Sequence, residues 1–293
     1  MRAEPLTRAL LAASILLAST EAQAFCRTTT DPRAERDAAT GCSTEGLPLY
    51  WQRQCVTYRL HEAASSQIAL PELDLMVRQA FAVWTNPGTL CLPSISAVAL
   101  APSSDAEVGY DENGPNENLI VLRDENWSSD PAALAITTIS MEMDSGRILD
   151  ADLEVNTQTH PLSAAELRYV LAHEVGHFLG LDHTNERGAL MQPSVTFDTV
   201  VTPLLSEDDA AGICAIYPES GERVTLDASG AERRVPATPC PPFAVDSGAV
   251  DCGPGSVEHG CGIAAVGAGT GLAFGGSFAL AGLVLWARKR RRR

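Results

Sequence analysis

The chain has 293 residues, 20% of them charged and 5% aromatic, which is the composition of an ordinary globular protein and excludes a disordered or collagen-like one. The net charge is −16; setting aside the six basic residues Arg288 to Arg293 leaves 15 basic against 37 acidic residues, a net −22. So acidic a body excludes nucleic acid as a partner and fits a soluble exported protein without naming its substrate. The first 24 residues read as an export signal: Arg2 and Arg8 supply positive charge, Ala9 to Ala18 is apolar but too short to span a bilayer, and Ala22-Gln23-Ala24 is an A-x-A cleavage site. The expected mature chain starts at Phe25. All eight cysteines follow that point and none forms a CxxC pair, so disulfides are expected, with Cys26–Cys42 and Cys240–Cys252 as candidate local bridges.

Residues 25 to 49 form a turn-rich N-terminal segment. Val56 to Leu60 alternates as a half-buried strand. Leu73, Met76, Val77, Ala80, Phe81 and Trp84 recur at helical spacing, and Asn86-Pro87-Gly88 ends that helix. A loop rich in Asn, Asp and Gly spans Asp111 to Asn118. Strands are predicted at Leu119 to Arg123, Leu134 to Met141 and Ile148 to Asn156, with the turn Asp144-Ser145-Gly146 between the last two. On the last strand Asp150, Asp152 and Glu154 alternate with Ala151, Leu153 and Val155. Their oxygens, or those of residues 111 to 117, could take a calcium ion. A solvated acidic face is the preferred reading, because no EF-hand spacing is present.

The next helix has clear ends. Ser163 and Glu166 form a capping box, and Leu162 and Leu167 sit where a hydrophobic staple packs. Leu167, Val170, Leu171, Val175 and Phe178 supply its buried face, and Gly180 closes it. A last helix starts at Ser206, with Glu207, Asp208 and Asp209 in its first turn, and stops at Pro218. Residues 219 to 262, rich in Gly, Pro, Ser and charge, read as a linker. Residues 263 to 287 carry no charge and, as a helix, would reach roughly 37 Å, enough to cross a bilayer. Residues 288 to 293 then form a basic cytoplasmic tail, leaving the rest outside.

Within the capped helix and its exit lies His173-Glu174-Val175-Gly176-His177-Phe178-Leu179-Gly180-Leu181-Asp182-His183, an HExxHxxGxxH pattern. His173 and His177 are four residues apart and project from one helix face, so both can ligate one metal. Gly180 permits a sharp turn out of the helix and brings His183 in as the third ligand. Three nitrogen ligands leave a fourth zinc position for water, the open geometry of a catalytic site. Glu174, beside His173, is placed to act as the general base.

The pattern resembles that of the metzincin zinc peptidases, and its flanks resemble the matrixin branch over about residues 50 to 218. Gly188-Ala189-Leu190-Met191-Gln192-Pro193 resembles the matrixin Met-turn, with Met191 beneath the metal. Ala80 to Trp84 resembles the end of the family's first helix, Ile148 to Asn156 its last strand, and Leu205 to Tyr217 its C-terminal helix. The resemblance implies an α/β (zincin-like) domain with a twisted, mostly parallel mixed sheet, an active-site helix beneath it and a small C-terminal subdomain. It implies endopeptidase activity on protein or peptide substrates, one catalytic zinc, and substrate held along an edge strand at Ala135, Ile136 and Thr137. Pro193 and Val195 stand near the specificity pocket. Three features depart from the family: no cysteine-switch motif precedes the domain, no tyrosine follows Met191 closely, and Pro193-Ser194-Val195 replaces the usual Pro-x-Tyr wall. The alternative is a non-catalytic zinc-binding adhesin or envelope protein of the same fold, against which the intact Glu174 speaks. The C-terminus resembles bacterial sorting tails, with Cys261 as the processing point, so the expected location is the cell envelope, membrane-anchored or released after processing. No sequence feature specifies an oligomeric state.

Overall fold

The computed structural model describes residues 25–88, 91–197, 202–227, 229–241, 278–279 and 284–288. In chain order the elements are β1 (Cys26–Arg27), β2 (Cys55–Leu60), α1 (Leu70–Thr85), β3 (Ser96–Ala99), β4 (Leu119–Leu122), β5 (Ala135–Glu142), β6 (Ile148–Val155), α2 (Ala164–Phe178), β7 (Leu181–Asp182), β8 (Ser194–Val195), α3 (Glu207–Ile216), β9 (Glu222–Leu226), β10 (Glu232–Pro236), β11 (Phe278–Ala279) and β12 (Val284–Arg288). One mixed sheet has the order β12-β5-β6-β4-β2-β3. Strands β6, β4, β2 and β3 are mutually parallel; β5 runs antiparallel to β6, and β12 is parallel to β5. This is the mixed α/β sheet expected from the sequence.

The six apolar residues at helical spacing on α1 are all buried. They meet α2, whose Val170, Leu171, Val175 and Phe178 are fully buried. Phe81 makes an edge contact with Phe178 at 5.3 Å between centroids and stacks on Tyr58 of β2 at 4.6 Å. Trp84 Nε1 donates to Ala172 O across the helix pair at 2.7 Å. Helix α2 begins on the Ser163–Glu166 capping box. Its far end is held from outside. Trp51 Nε1 donates to Phe178 O and the Tyr217 hydroxyl to Leu179 O, both at 2.7 Å, so carbonyls with no partner inside the helix are satisfied. These bonds fix the place from which the chain turns out toward His183.

Four expectations are corrected. Cys240 bonds to Cys55 rather than to Cys252, because Gln54 N donates to Thr238 O and brings the end of β10 against the start of β2. Cys26–Cys42 closes as expected, and Cys91 pairs with Cys214. Three disulfides suit an exported protein. Residues 222 to 236, read as linker, form the antiparallel hairpin β9–β10. It is anchored by Arg223, fully buried, which donates to Trp51 O, Arg53 O and Ser94 Oγ and lies over the Tyr217 ring. Within the uncharged stretch 263–287, read as a membrane helix, the described residues are strand: β11 pairs with β8 and β12 with β5. No helix among the described residues is long and apolar enough to cross a membrane. The export signal, Cys252, Cys261 and the final five basic residues lie outside the described residues.

The fourth correction concerns the acidic face of β6. Asp150 and Asp152 are 2% and 1% exposed, not solvated. Leu119 N and Gly109 N donate to Asp152, and Glu154 pairs with Arg123. Burial raises both aspartic acids above the ordinary carboxylate range; the charge of Asp152 adds to the rise of Asp150, whereas at Asp152 the bonds from Leu119 N, Gly109 N and Asp150 act the other way. A carboxyl raised on folding contributes stability below its unfolded value and loses it as pH rises through its folded value. Stability is therefore expected to fall on going from mildly acidic to mildly alkaline solution, and Asp150→Asn to flatten that fall, in thermal melts across the range. Added calcium checks the cation expectation, since a bound divalent ion would hold both carboxylates ionised and abolish the loss.

Candidate metal centre

Helix α2 places His173 and His177 one turn apart and both fully buried. Gly180, at φ +98°, turns the chain out of the helix. A Cβ there would stand 3.0 Å from Leu49 O, so glycine is required on both conformational and steric grounds. Three residues later His183 returns. Its Nε2 lies 3.1 Å from both His173 Nε2 and His177 Nε2. Two nitrogens on one tetrahedral zinc at the usual bond length stand about 3.4 Å apart, so this convergence suits a single ion.

The rings are oriented from behind. His173 Nδ1 lies 2.7 Å from Leu190 O and His177 Nδ1 2.9 Å from Leu181 O. A carbonyl can only accept, so Nδ1 carries the proton and Nε2 offers its lone pair to the centre. Burial, and to a lesser degree the neighbouring His177, lowers His173 to about 3, with the Leu190 bond acting the other way. Burial also lowers His177 to about 4, and His183 is pushed well below its ordinary value. All three imidazoles are thus neutral, the state a metal requires. Among the described residues, this trio is the one cluster of three or more His, Cys, Asp or Glu whose ligand atoms all lie within 4.8 Å.

Glu174 is fully buried beside the trio. Its Oε2 accepts from Thr137 Oγ1 at 2.7 Å, while Oε1 has no partner. An unsatisfied buried carboxylate oxygen is costly and marks a position reserved for a bound group. Burial raises this carboxyl to about 8, with the Thr137 bond acting the other way. The geometry therefore fits a metal ion: three neutral nitrogens converge, and a buried carboxyl oxygen has no partner of its own.

The residues that match the matrixin pattern are the ones the structure brings together. A model of the matrixin family matches residues 50–218. The chain belongs to the matrixin family. This matrixin is 29% identical to human neutrophil collagenase over 175 residues, which is 59% of this chain and 34% of the collagenase. It is 29% identical to the interstitial collagenase of Equus caballus over 187 residues, 63% of this chain and 36% of that protein. With Metalloendoproteinase 1-MMP of Arabidopsis thaliana it shares 25% over 170 residues, 57% of this chain and 44% of that one. The matched stretch thus spans about a third of the length of the two collagenases and under half of the plant relative.

Met191 of this matrixin is 2% exposed and lies under α2. Its turn is held by Asp209, whose carboxylate accepts from Leu190 N at 2.7 Å and Met191 N at 3.2 Å, besides capping α3 through Ser206. From sequence Asp209 reads only as a helix-start acid. The Ser-Glu-Asp-Asp run gives no sign that its side chain also reaches back to the Met-turn. Thr137, expected as a substrate contact, directs its hydroxyl to Glu174. Of the residues expected near the specificity pocket, Pro193 is exposed and Val195 buried, with Ser194 and Val195 paired to β11. Phe197 makes an edge contact with Tyr169 of α2 at 6.1 Å.

Gly176 tests how tightly the helix sits on the Met-turn. A Cβ at this position would meet Met191 Sδ at 2.3 Å and Trp84 Cζ2 at 2.7 Å. Gly176→Ala is expected to cost about 1–3 kcal/mol and to displace Met191. Thermal melting and zinc content of the purified variant check this; a wild-type melting temperature would show that the contact is loose.

Proposed function

We propose that this chain is an exported zinc endopeptidase that hydrolyses internal peptide bonds, with His173, His177 and His183 holding the ion and Glu174 as general base. The observation that carries the reading is the unpartnered, buried Glu174 Oε1 beside three converging neutral imidazoles. Zinc, when bound, supplies the Lewis acidity that makes a water nucleophilic near neutral pH and polarises the scissile carbonyl. Glu174 Oε1 takes the proton of the attacking water and delivers it to the leaving nitrogen as the C–N bond breaks. Burial raises this carboxyl's proton affinity, which favours holding the proton between the two transfers, while the positive charge of a bound zinc would lower it again so that the group starts ionised. Thr137 Oγ1 holds the other oxygen still, so the carboxylate does not rotate away. Glu174→Ala is expected to leave zinc bound at wild-type stoichiometry and to lower kcat by about 100-fold or more. A variant that cleaves at near wild-type rate removes Glu174 from the mechanism.

Substrate is proposed to lie extended along β5, adding to it as another strand. Leu134 O accepts from Asn156 N, so even-numbered residues of this stretch face β6, and the outward amides are those of Ala135 and Thr137. Ala135 through Thr137 has no strand beyond it among the described residues, whereas Thr138 to Glu142 pairs with β12. Thr137 is excluded as a probe because its hydroxyl serves Glu174. Ala135→Pro removes one outward donor at the first residue of the strand, where proline is tolerated. It is expected to raise KM by about 2- to 10-fold at unchanged zinc content. The assay uses residues 25 to 260, which lack the two strands paired with β5 and β8. Ile136→Pro would instead break a bond to β6 and disrupt the sheet. A KM unmoved by Ala135→Pro places the substrate elsewhere. Selectivity is assigned to side-chain pockets near Pro193 to Val195, whose wall differs from the Pro-x-Tyr wall of the family.

A further inference from the structure

The segment before residue 50 lies outside the family match, yet it reaches the metal centre. Strand β1 pairs with β7, setting Cys26 opposite Asp182 and Arg27 opposite Leu181, and β7 immediately precedes His183. Thr28 Oγ1 donates to Leu181 O at 2.8 Å, the same carbonyl that orients His177. The disulfide Cys26–Cys42 then closes a loop over the exit of the third ligand. From that loop Arg36 Nη2 donates to both oxygens of Asp182, at 3.2 and 2.9 Å. Asp182 is 3% exposed and in turn accepts from His183 N at 2.7 Å. Beyond the ligand, Asn185 N donates to Thr40 O at 2.8 Å, and Asn185 Nδ2 to Ala38 O and Ala39 O. His183 is therefore gripped on both sides by one loop. The loop is itself stiffened by Asp37, which accepts from Ala39 N and Thr40 N, and by Arg36 Nη1 on Gly41 O.

We propose that the disulfide-closed loop Cys26–Cys42 is a clamp that positions the third metal ligand, with Arg36 as its positioning residue, so that zinc is held tightly only after this disulfide has formed. The proposal rests on the zinc reading above. His173 and His177 are held by a helix and by carbonyls of the family core, but His183 follows a two-residue strand after a glycine turn. Its backbone gains definition from contacts on either side, and a ligand that wanders lowers metal affinity even when its ring is intact. Because thiols stay reduced in the cytoplasm, the clamp would close on export, tying retention of the ion to arrival outside.

The test measures zinc release from the full chain to a chromogenic chelator, alongside thermal melting. The variants are Arg36→Ala, Arg36→Lys, and Cys26→Ser combined with Cys42→Ser. Arg123→Ala is the control, since it removes an ion pair with Glu154 on the sheet that makes no contact with the Cys26–Cys42 loop. Arg36→Ala and the double serine variant are expected to release zinc about 10- to 100-fold faster. Arg36→Lys should recover part of the loss. Arg123→Ala should stay within about twofold of wild type even where its melting temperature falls as far. Unchanged release from Arg36→Ala and from the double serine variant overturns the clamp. So does an equal acceleration by Arg123→Ala, which would reduce the effect to general destabilisation. Wild-type protein that holds no zinc would sink the zinc reading itself, a result separable from a loaded wild type whose variants behave alike.

Discussion

The structure is organised around keeping three imidazoles neutral, close and aimed at one point. Placing ring nitrogens 3.1 Å apart in a dry interior leaves no room for protonated rings, and burial lowers each of them accordingly. Lone pairs held so close repel unless an ion lies among them. The arrangement must therefore be enforced by the fold until metal arrives, and the surrounding elements can be understood as the means of enforcement. The α1–α2 packing, the carbonyls of Leu190 and Leu181 behind the rings, and the external bonds to the end of α2 from Trp51 and Tyr217 each remove a way for the trio to spread.

The supports come from opposite ends of the chain. Asp209, on the last helix, fixes the Met-turn beneath α2. Arg36, near the start, fixes Asp182 beside the third ligand. The hairpin β9–β10 closes over the N-terminal half of the domain through Arg27 and Arg223, whose guanidinium groups bind backbone carbonyls instead of carboxylates. Arg223, buried, and Arg27, half-buried, keep these bonds only while Leu49, Trp51 and Arg53 hold their places, so the fold of residues 25 to 53 is bound to that of 222 to 226. A catalytic core of the family size has thus acquired a collar from sequence on both its flanks.

Much of this was legible in the sequence where local physics decides. The capping box at Ser163, the apolar stripe on α1 and the HExxHxxGxxH spacing are all short-range signals, and each element stands where its pattern puts it. What escaped was decided by contacts distant in sequence. Cys240 pairs with a residue 185 positions away, a partner that no spacing rule reaches. The β6 acids look solvated in an alternating strand, but the turn at Gly109 folds over them. Thr137 reads as an edge-strand residue like its neighbours, and only the closeness of β5 to α2 shows that its hydroxyl belongs to Glu174. The hairpin of residues 222 to 236 was hidden because charged, turn-rich sequence resembles a linker until Arg223 is seen to be buried.

The most direct test of the central claim is X-ray absorption at the zinc edge of the purified protein. The account requires one zinc per chain with three imidazole nitrogens at about 2.0–2.1 Å and one further light ligand, no sulfur, and a loss of one imidazole contribution in His183→Ala. Four imidazoles, a sulfur ligand, or a spectrum unchanged by His183→Ala would contradict it.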